Sequence, residues 1–241
     1  MPRRPHVRSL SLVRHAQSAG NVANDAALAA GLPELDLAHR DMDVPLSALG
    51  TAQARALGGW LRTADASIVI ASPYRRAVDT ICLAMDASDR ELPLVLDERV
   101  REREFGILDR LTKVGIEARH PEQVAARAFL GKFFHRPPGG ESWADVAGRV
   151  RSILSDLRLD HAGEDVVIVT HQAVIMLFRY VLDGLDEASL LALDRKVQIA
   201  NTAVATYRDD GDGLRLLSFN DTSHLPDEAT TAASDLPVAP R

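Results

Sequence analysis

Asp165-Val166-Val167-Ile168-Val169-Thr170 is an almost unbroken run of β-branched residues that ends against His171. A run this short and this apolar reads as a strand covered on both faces, the kind found inside a parallel sheet. Two further runs, Ser9-Leu10-Ser11-Leu12-Val13 and Ser67-Ile68-Val69-Ile70-Ala71, have the same character, and Leu92 to Leu96 is a weaker fourth. Longer stretches of helical spacing separate them. Such alternation predicts an α/β fold: a three-layer α/β/α sandwich with a largely parallel sheet, helices on both faces and an inserted helical cap. Ala203 to Tyr207 and Leu214 to Phe219 flank Asp209-Asp210-Gly211-Asp212-Gly213, whose Asp-Gly pairs favour a tight turn, so a hairpin is expected at one sheet edge.

The helices carry recognisable starts. Ser47 is placed to cap a helix running to about Arg62, with Gly58-Gly59 weakening its last turn. Ser72-Pro73 sets a capping hydroxyl before a proline suited to the first helical position, opening a helix towards Met85 in which Cys82 is expected to be core. Ser142-Trp143-Ala144-Asp145 resembles a capping box with Asp in place of Glu, followed by Val146, Val150, Ile153, Leu154 and Leu157 at helical spacing. Ala173 to Leu182 and Glu187 to Leu193 complete the set. Asn21 to Val44 is polar and too long for a simple connection, which makes it either functional or partly disordered. From Thr222 onward three prolines and small polar residues predict a disordered tail, giving one α/β domain over 1–221, a cap at about 103–140 and a tail over 222–241.

Composition excludes several classes. The chain of 241 residues is 46% apolar, carries a net charge of −6 and has one cysteine, so no internal disulfide framework or multi-cysteine zinc site is available. The acidic balance and 5% aromatic content argue against nucleic-acid binding. No segment approaches the ~20 apolar residues of a membrane span, and the basic N-terminus lacks an apolar signal core, so a cytoplasmic protein without membrane association is expected. Monomer and homodimer are both left open.

The residues just beyond each strong strand carry the chemistry. The first strand runs into Arg14-His15, the second into Ser72 and Arg75-Arg76, and the third into His171. Ligands of open parallel sheets bind beyond the strands' carboxyl ends, so these segments are expected to meet in one crevice. Arginine forks match phosphate oxygens, and a neutral imidazole can attack phosphorus to form a covalent intermediate. A carboxylic acid must protonate the leaving group, and Arg99-Val100-Arg101-Glu102-Arg103-Glu104 offers candidates, with Glu98 nearby. The bland readings stand beside these. Arg76 also suits a helical ion pair with Asp79, Ser18 and Asn21 suit capping, and Arg-Glu-Arg-Glu suits a solvated charge run. Asp41-Met42-Asp43-Val44 echoes aspartate-based phosphatases, but no apolar strand precedes it. Cys82 lacks the arginine six residues on that a cysteine phosphatase needs, and the eight histidines show no ligand spacing, so no metal and no cofactor is expected.

In order along the chain, Leu12-Val13-Arg14-His15-Ala16-Gln17-Ser18 with Asn21, Pro45-Leu46-Ser47-Ala48-Leu49-Gly50, and Ala71-Ser72-Pro73-Tyr74-Arg75-Arg76-Ala77 with Thr80 resemble blocks of the histidine phosphatase superfamily, the phosphoglycerate-mutase-like proteins. Arg101-Glu102-Arg103-Glu104-Phe105-Gly106, Gly139-Gly140-Glu141-Ser142 and Val169-Thr170-His171 continue the resemblance, which spans about residues 8 to 208. It implies His15 as phosphohistidine nucleophile, Arg14 and Arg76 as phosphate clamps, Ser18 and Asn21 as further phosphate ligands, Glu102 as proton donor and His171 as second pocket histidine. Ala16 and Gln172 stand where the family usually has glycine, which would cost strain if either needed a positive φ.

The resemblance covers both hydrolases and mutases. Residues 103 to 136 hold seven Lys or Arg against four acids, either a cap favouring anionic substrates or two solvated amphipathic helices. A mutase needs a second anion site to retain its intermediate. The arginine-proline run typical of the cofactor-dependent mutases is present only as the faint echo Phe133 to Pro138, and the Asn21 to Val44 insertion departs from the compact loop expected there. The reading is therefore a metal-independent phosphomonoesterase acting on a small phosphorylated metabolite. The alternatives are a 2,3-bisphosphoglycerate-dependent mutase and a non-catalytic phospho-ligand module.

Overall fold

In the computed structural model, which describes residues 6–232, six strands form one sheet in the order β3-β2-β4-β1-β5-β6. β1 (Ser9–Arg14), β2 (Ile68–Ala71), β3 (Leu94–Leu96) and β4 (Asp165–Thr170) run parallel, and β5 (Val204–Asp209) and β6 (Leu214–Asp221) add an antiparallel hairpin. Side-chain alternation splits β4 between two cores. Val166 and Ile168, with Leu10 and Leu12 of β1, pack against α6 (Trp143–Asp160) and α7 (Gln172–Leu182). Val167 and Val169, with Val13 and Val69, face the other way onto Leu57 and Leu61 of α2 (Ala48–Thr63) and Ile81 of α3 (Arg75–Ser88). Each such buried aliphatic contributes about 1.5–3 kcal/mol, so helices are required on both faces. An apolar run alone would not fix the register of β4. Its polar start does, because Ser9 Oγ donates to Asp165 Oδ1 at 2.6 Å and Arg8 pairs with the same carboxylate.

Ser142 and Asp145 form the expected capping box, and Ser47 accepts from Gly50 N. Gly58, expected only to weaken α2, has a positive role, since its missing side chain admits α3: a Cβ there would lie 2.8 Å from Ala84 O.

Of the two readings of the Asn21 to Val44 stretch, partial disorder is not the one seen: it contains most of α1 (Ala19–Ala29) and a 3-10 turn at Asp41–Asp43. Three expectations need correction. Ser72 does not cap α3, which begins two residues after Pro73, behind Tyr74. Cys82 is exposed, because the buried stripe of α3 runs through Ala77, Thr80, Ile81, Ala84 and Ser88. Finally, residues 222–232 are not a loose tail: Leu225 is buried and Asn201 N donates to Thr231 O at 2.7 Å. Their polar composition hides backbone and hydroxyl partners that only the folded body supplies. The remainder of the expected tail, 233–241, lies outside the described residues.

Between β3 and α6 the chain forms α4 (Lys113–Arg119) and α5 (Pro121–Phe134), the latter broken at Gly131. This segment is tied to the insertion before α2. Leu35 N donates to Arg110 O, Thr112 N to Pro33 O, and Arg119 pairs with Glu34. It closes on itself at Gly106, where φ is +56° and a Cβ would strike Pro138 O at 2.1 Å. α8 (Glu187–Lys196) completes the fold.

Candidate active site

The carboxyl ends of β1, β2 and β4 converge as their order demands. His15 and His171 are both fully buried, with ring centroids 5.0 Å apart and planes tilted by 58°. His15 Nδ1 lies 2.7 Å from the Ala16 carbonyl. A carbonyl can only accept, so Nδ1 carries a proton, and Nε2 is the nitrogen whose lone pair serves for attack when the ring is neutral. Ala16 itself is fixed by Thr80 Oγ1, which accepts from its amide at 2.9 Å. Neither Ala16 nor Gln172 has a positive φ, so both positions accept a side chain without backbone strain; Gln172 Oε1 accepts from Gln198 Nε2 at 2.8 Å.

His171 Nε2 is 2.8 Å from Ser72 Oγ, and this contact occupies the hydroxyl that the sequence assigns to a helix cap. The edge of Tyr74 meets the His171 ring at 5.3 Å. The helical ion pair with Asp79, the alternative reading of Arg76, is made by Arg75. The Arg76 guanidinium stacks on Tyr74 at 5.0 Å and binds Asp41. Arg76 Nη1 donates to Asp41 O (2.6 Å) and Oδ1 (2.9 Å), and Nη2 donates to Oδ2 (3.3 Å). Arg76 is only 2% exposed, so its charge needs a counter-ion, and the insertion supplies one. Asp41 escapes the sequence reading because its partner is 35 residues away and no spacing rule links them.

Arg14 is fully buried beside His15 and donates to Ile199 O. Ser18 and Asn21 form a reciprocal capping box at the start of α1, and Asn21 Oδ1 also accepts from Asn201 Nδ2 at 3.4 Å. The capping reading of these two residues therefore holds in the structure. Among the acids, burial separates the candidates. Glu102 is 1% exposed and accepts from Arg103 N at 2.7 Å, whereas Glu98 is exposed and Glu104 is 46% exposed at its side chain. The loop carrying Glu102 is bound to the end of β4 by Thr170 Oγ1, which donates to Val100 O at 2.6 Å.

The surroundings are electrostatically uneven. Burial, then the hydrogen bond to Glu104 Oε1 at 2.7 Å, pushes the Tyr74 hydroxyl well above its ordinary range, so it remains a donor. Burial, followed by the nearby Asp41 charge, raises Asp109. On the cap side, burial and then Arg127 push Arg103 down to about 10. Among the described residues no cluster of three or more His, Cys, Asp or Glu could hold a metal ion, and no helix is long and apolar enough to cross a membrane.

Known proteins resemble this chain in sequence and in fold. The family model for the histidine phosphatase superfamily, branch 1, matches residues 10–222. A 2,3-bisphosphoglycerate-dependent phosphoglycerate mutase 2 of Gloeobacter violaceus is 30% identical over 210 residues, covering 85% of this chain and 87% of its own. The phosphate complex of a mycobacterial glucosyl-3-phosphoglycerate phosphatase superposes with a TM-score of 0.70 at 26% identity, covering 91% of this chain and all of that one. The α-ribazole phosphatase of Shigella flexneri shares the fold, with a TM-score of 0.72 at 23% identity over 88% of this chain and 96% of its own.

Proposed function

We propose that this chain, which belongs to the histidine phosphatase superfamily, is a metal-independent phosphomonoesterase acting through a phosphohistidine on a small phosphorylated metabolite. The observation that carries the reading is the His15 ring, oriented through Nδ1–H by the Ala16 carbonyl and facing His171 across 5.0 Å. In this reading His15 Nε2 attacks phosphorus, and the P–O bond to the leaving group breaks. Arg14 and Arg76 bind the equatorial oxygens, His171 adds a hydrogen bond to them, and Ser18 and Asn21 complete the cradle. Glu102, protonated, gives its proton to the departing alkoxide; as a carboxylate it then takes one from the water that attacks the phosphohistidine, which releases phosphate and restores neutral His15.

The fate of the cap's cations favours hydrolysis over phosphoryl retention. Lys113 pairs with Glu117, Arg119 with Glu34, Lys132 with Asp194 and Arg136 with Asp145, while Arg103 Nε donates to Glu141 O and Arg110 Nη1 to Leu37 O. The four carboxylate partners lower the net positive charge that the cap offers to a second anion, which a mutase needs to hold its intermediate. The mutase reading keeps support from the Gloeobacter relative.

Hydrolysis of p-nitrophenyl phosphate in the presence of a chelator, by wild type and His15→Ala, tests the proposal. Turnover by wild type alone, with acid-labile and base-stable phosphate trapped on the protein, is expected. Equal turnover by the variant, or none by wild type across a panel of phosphoesters, would sink the reading. Isomerisation of 3-phosphoglycerate, dependent on 2,3-bisphosphoglycerate and faster than phosphate release, would replace it with the mutase.

A further inference from the structure

Two fully buried carboxamides that the reaction does not use, Gln53 and Asn201, bridge the same two parts of the chain. Each has one arm on the loop after β1 and one on the segment 229–231. Asn201 Nδ2 donates to the main-chain oxygen of His15 at 3.0 Å, and its Oδ1 accepts from Thr231 Oγ1 at 2.9 Å. Gln53 Oε1 accepts from Gln17 N at 2.8 Å, and its Nε2 donates to Ala229 O at 2.7 Å and to Thr231 Oγ1 at 2.8 Å. Neither amide can be turned round. A backbone N–H only donates and a carbonyl only accepts, so Gln17 N and Ala229 O fix Gln53, and His15 O fixes Asn201. The Thr231 hydroxyl is therefore the shared point, donating to one carboxamide while accepting from the other.

The segment reaching Thr231 is anchored along its length. His224 Nε2 lies 3.2 Å from Thr202 Oγ1, whose own hydrogen is given to Asn201 O, so the imidazole is the donor. Leu225 is buried, and Asn201 N donates to Thr231 O. Thr202 N in turn donates to Arg14 O at 3.1 Å, so the same segment backs both the clamp arginine and the nucleophile.

We propose that Thr231 is a positioning residue for phosphoryl transfer, acting through Asn201 and Gln53 to hold the backbone of residues 15–17 in the geometry from which His15 attacks. The proposal rests on the reading of His15 as nucleophile. Without the hydroxyl, two buried carboxamides each lose a partner and the loop they hold gains freedom. Attack on phosphorus depends on placement to a fraction of an ångström, whereas binding of the phosphoryl group depends chiefly on charge.

The test compares Thr231→Val, which keeps the shape and loses the hydrogen bonds, with Thr231→Ser, which keeps the hydroxyl. On p-nitrophenyl phosphate, Thr231→Val should lower kcat about tenfold with KM within about twofold of wild type, slowing phosphorylation of His15 in a quenched-flow experiment by the same factor. Thr231→Ser should restore kcat to within about twofold. A purely structural role would lower the thermal midpoint and leave kcat unchanged well below it, and that result overturns the proposal. So does a Ser variant as slow as the Val variant, or a loss confined to KM. Amide exchange at Gln17, read by NMR, is a measure independent of turnover: at least about tenfold faster exchange is expected in Thr231→Val, and unchanged exchange rejects the coupling. Inactive wild type would refute the phosphatase reading, while exchange at Gln17 would still decide whether Thr231 holds the loop.

Discussion

Replacing Asp41 with alanine should weaken the phosphate-free protein and tighten phosphate binding, because both effects arise from one buried charge. Arg76 is 2% exposed and bound by the Asp41 carboxylate, itself 20% exposed, and by the Asp41 carbonyl. Removing one member of a buried ion pair costs about 3–5 kcal/mol through the charge left behind. Here the partner is one-fifth exposed and its main-chain bond survives the substitution, so about 2 kcal/mol is expected. Phosphate bound by Arg76 would return the missing counter-charge, so the loss falls mainly on the free protein. If about 1.4 kcal/mol of it is recovered on binding, the thermodynamic cycle requires the phosphate Kd to fall about tenfold. Titration calorimetry with inorganic phosphate measures that change, and urea unfolding with and without saturating phosphate measures its counterpart. The stability gap between wild type and Asp41→Ala should narrow when phosphate is present. Phosphate affinity that is unchanged or weaker in the variant, with a gap independent of phosphate, would refute the placement of Arg76 as a phosphate clamp balanced by Asp41.

Ser72→Ala removes the 2.8 Å contact with His171 Nε2 and should lower kcat about tenfold with a smaller effect on KM; unchanged kcat would show that Ser72 does not orient the ring. Gly50→Ala would place a Cβ 1.9 Å from Gln17 O, backbone against backbone. A loss of about 2 kcal/mol, or about 4–8 °C in the thermal midpoint, should accompany reduced turnover, and a variant of wild-type stability and rate would contradict the close approach. Burial lowers the pKa of His135 and of His224, in the first case with help from Arg127 and Arg103. The unfolded chain therefore takes up these protons first as pH falls, so their contribution is complete above the unfolded pKa of about 6.5 and is lost progressively below it. Urea unfolding between pH 7.5 and 5.5 should show this decline, and His224→Gln should flatten it; a variant with the wild-type slope would remove His224 from the account.

The strands are legible because burial on both faces leaves a local mark. Val166 to Val169 must be apolar whichever helix covers them, and β-branched residues suit the extended backbone. Capping is equally local, which is why a few neighbouring residues suffice to place Ser47 and Ser142. Ser72 carries the same local signal and is drawn away by His171, 99 residues later. The segment 222–232 misleads for a related reason: few apolar residues mean no visible core, yet its stability comes from hydrogen bonds to Gln53, Asn201 and Thr202.

From its sequence alone, then, this chain declares an α/β sheet whose strands deliver Arg14, His15 and His171 to their shared carboxyl end, since order and periodicity are properties of neighbouring residues. The fold alone decides the tautomer of His15, which acid is buried, the counter-ion of Arg76 and the partner of Ser72. Each of those depends on the packed surroundings, in most cases on groups far apart in the chain whose spacing obeys no helical or strand period, so their pairing exists only once the elements have come together.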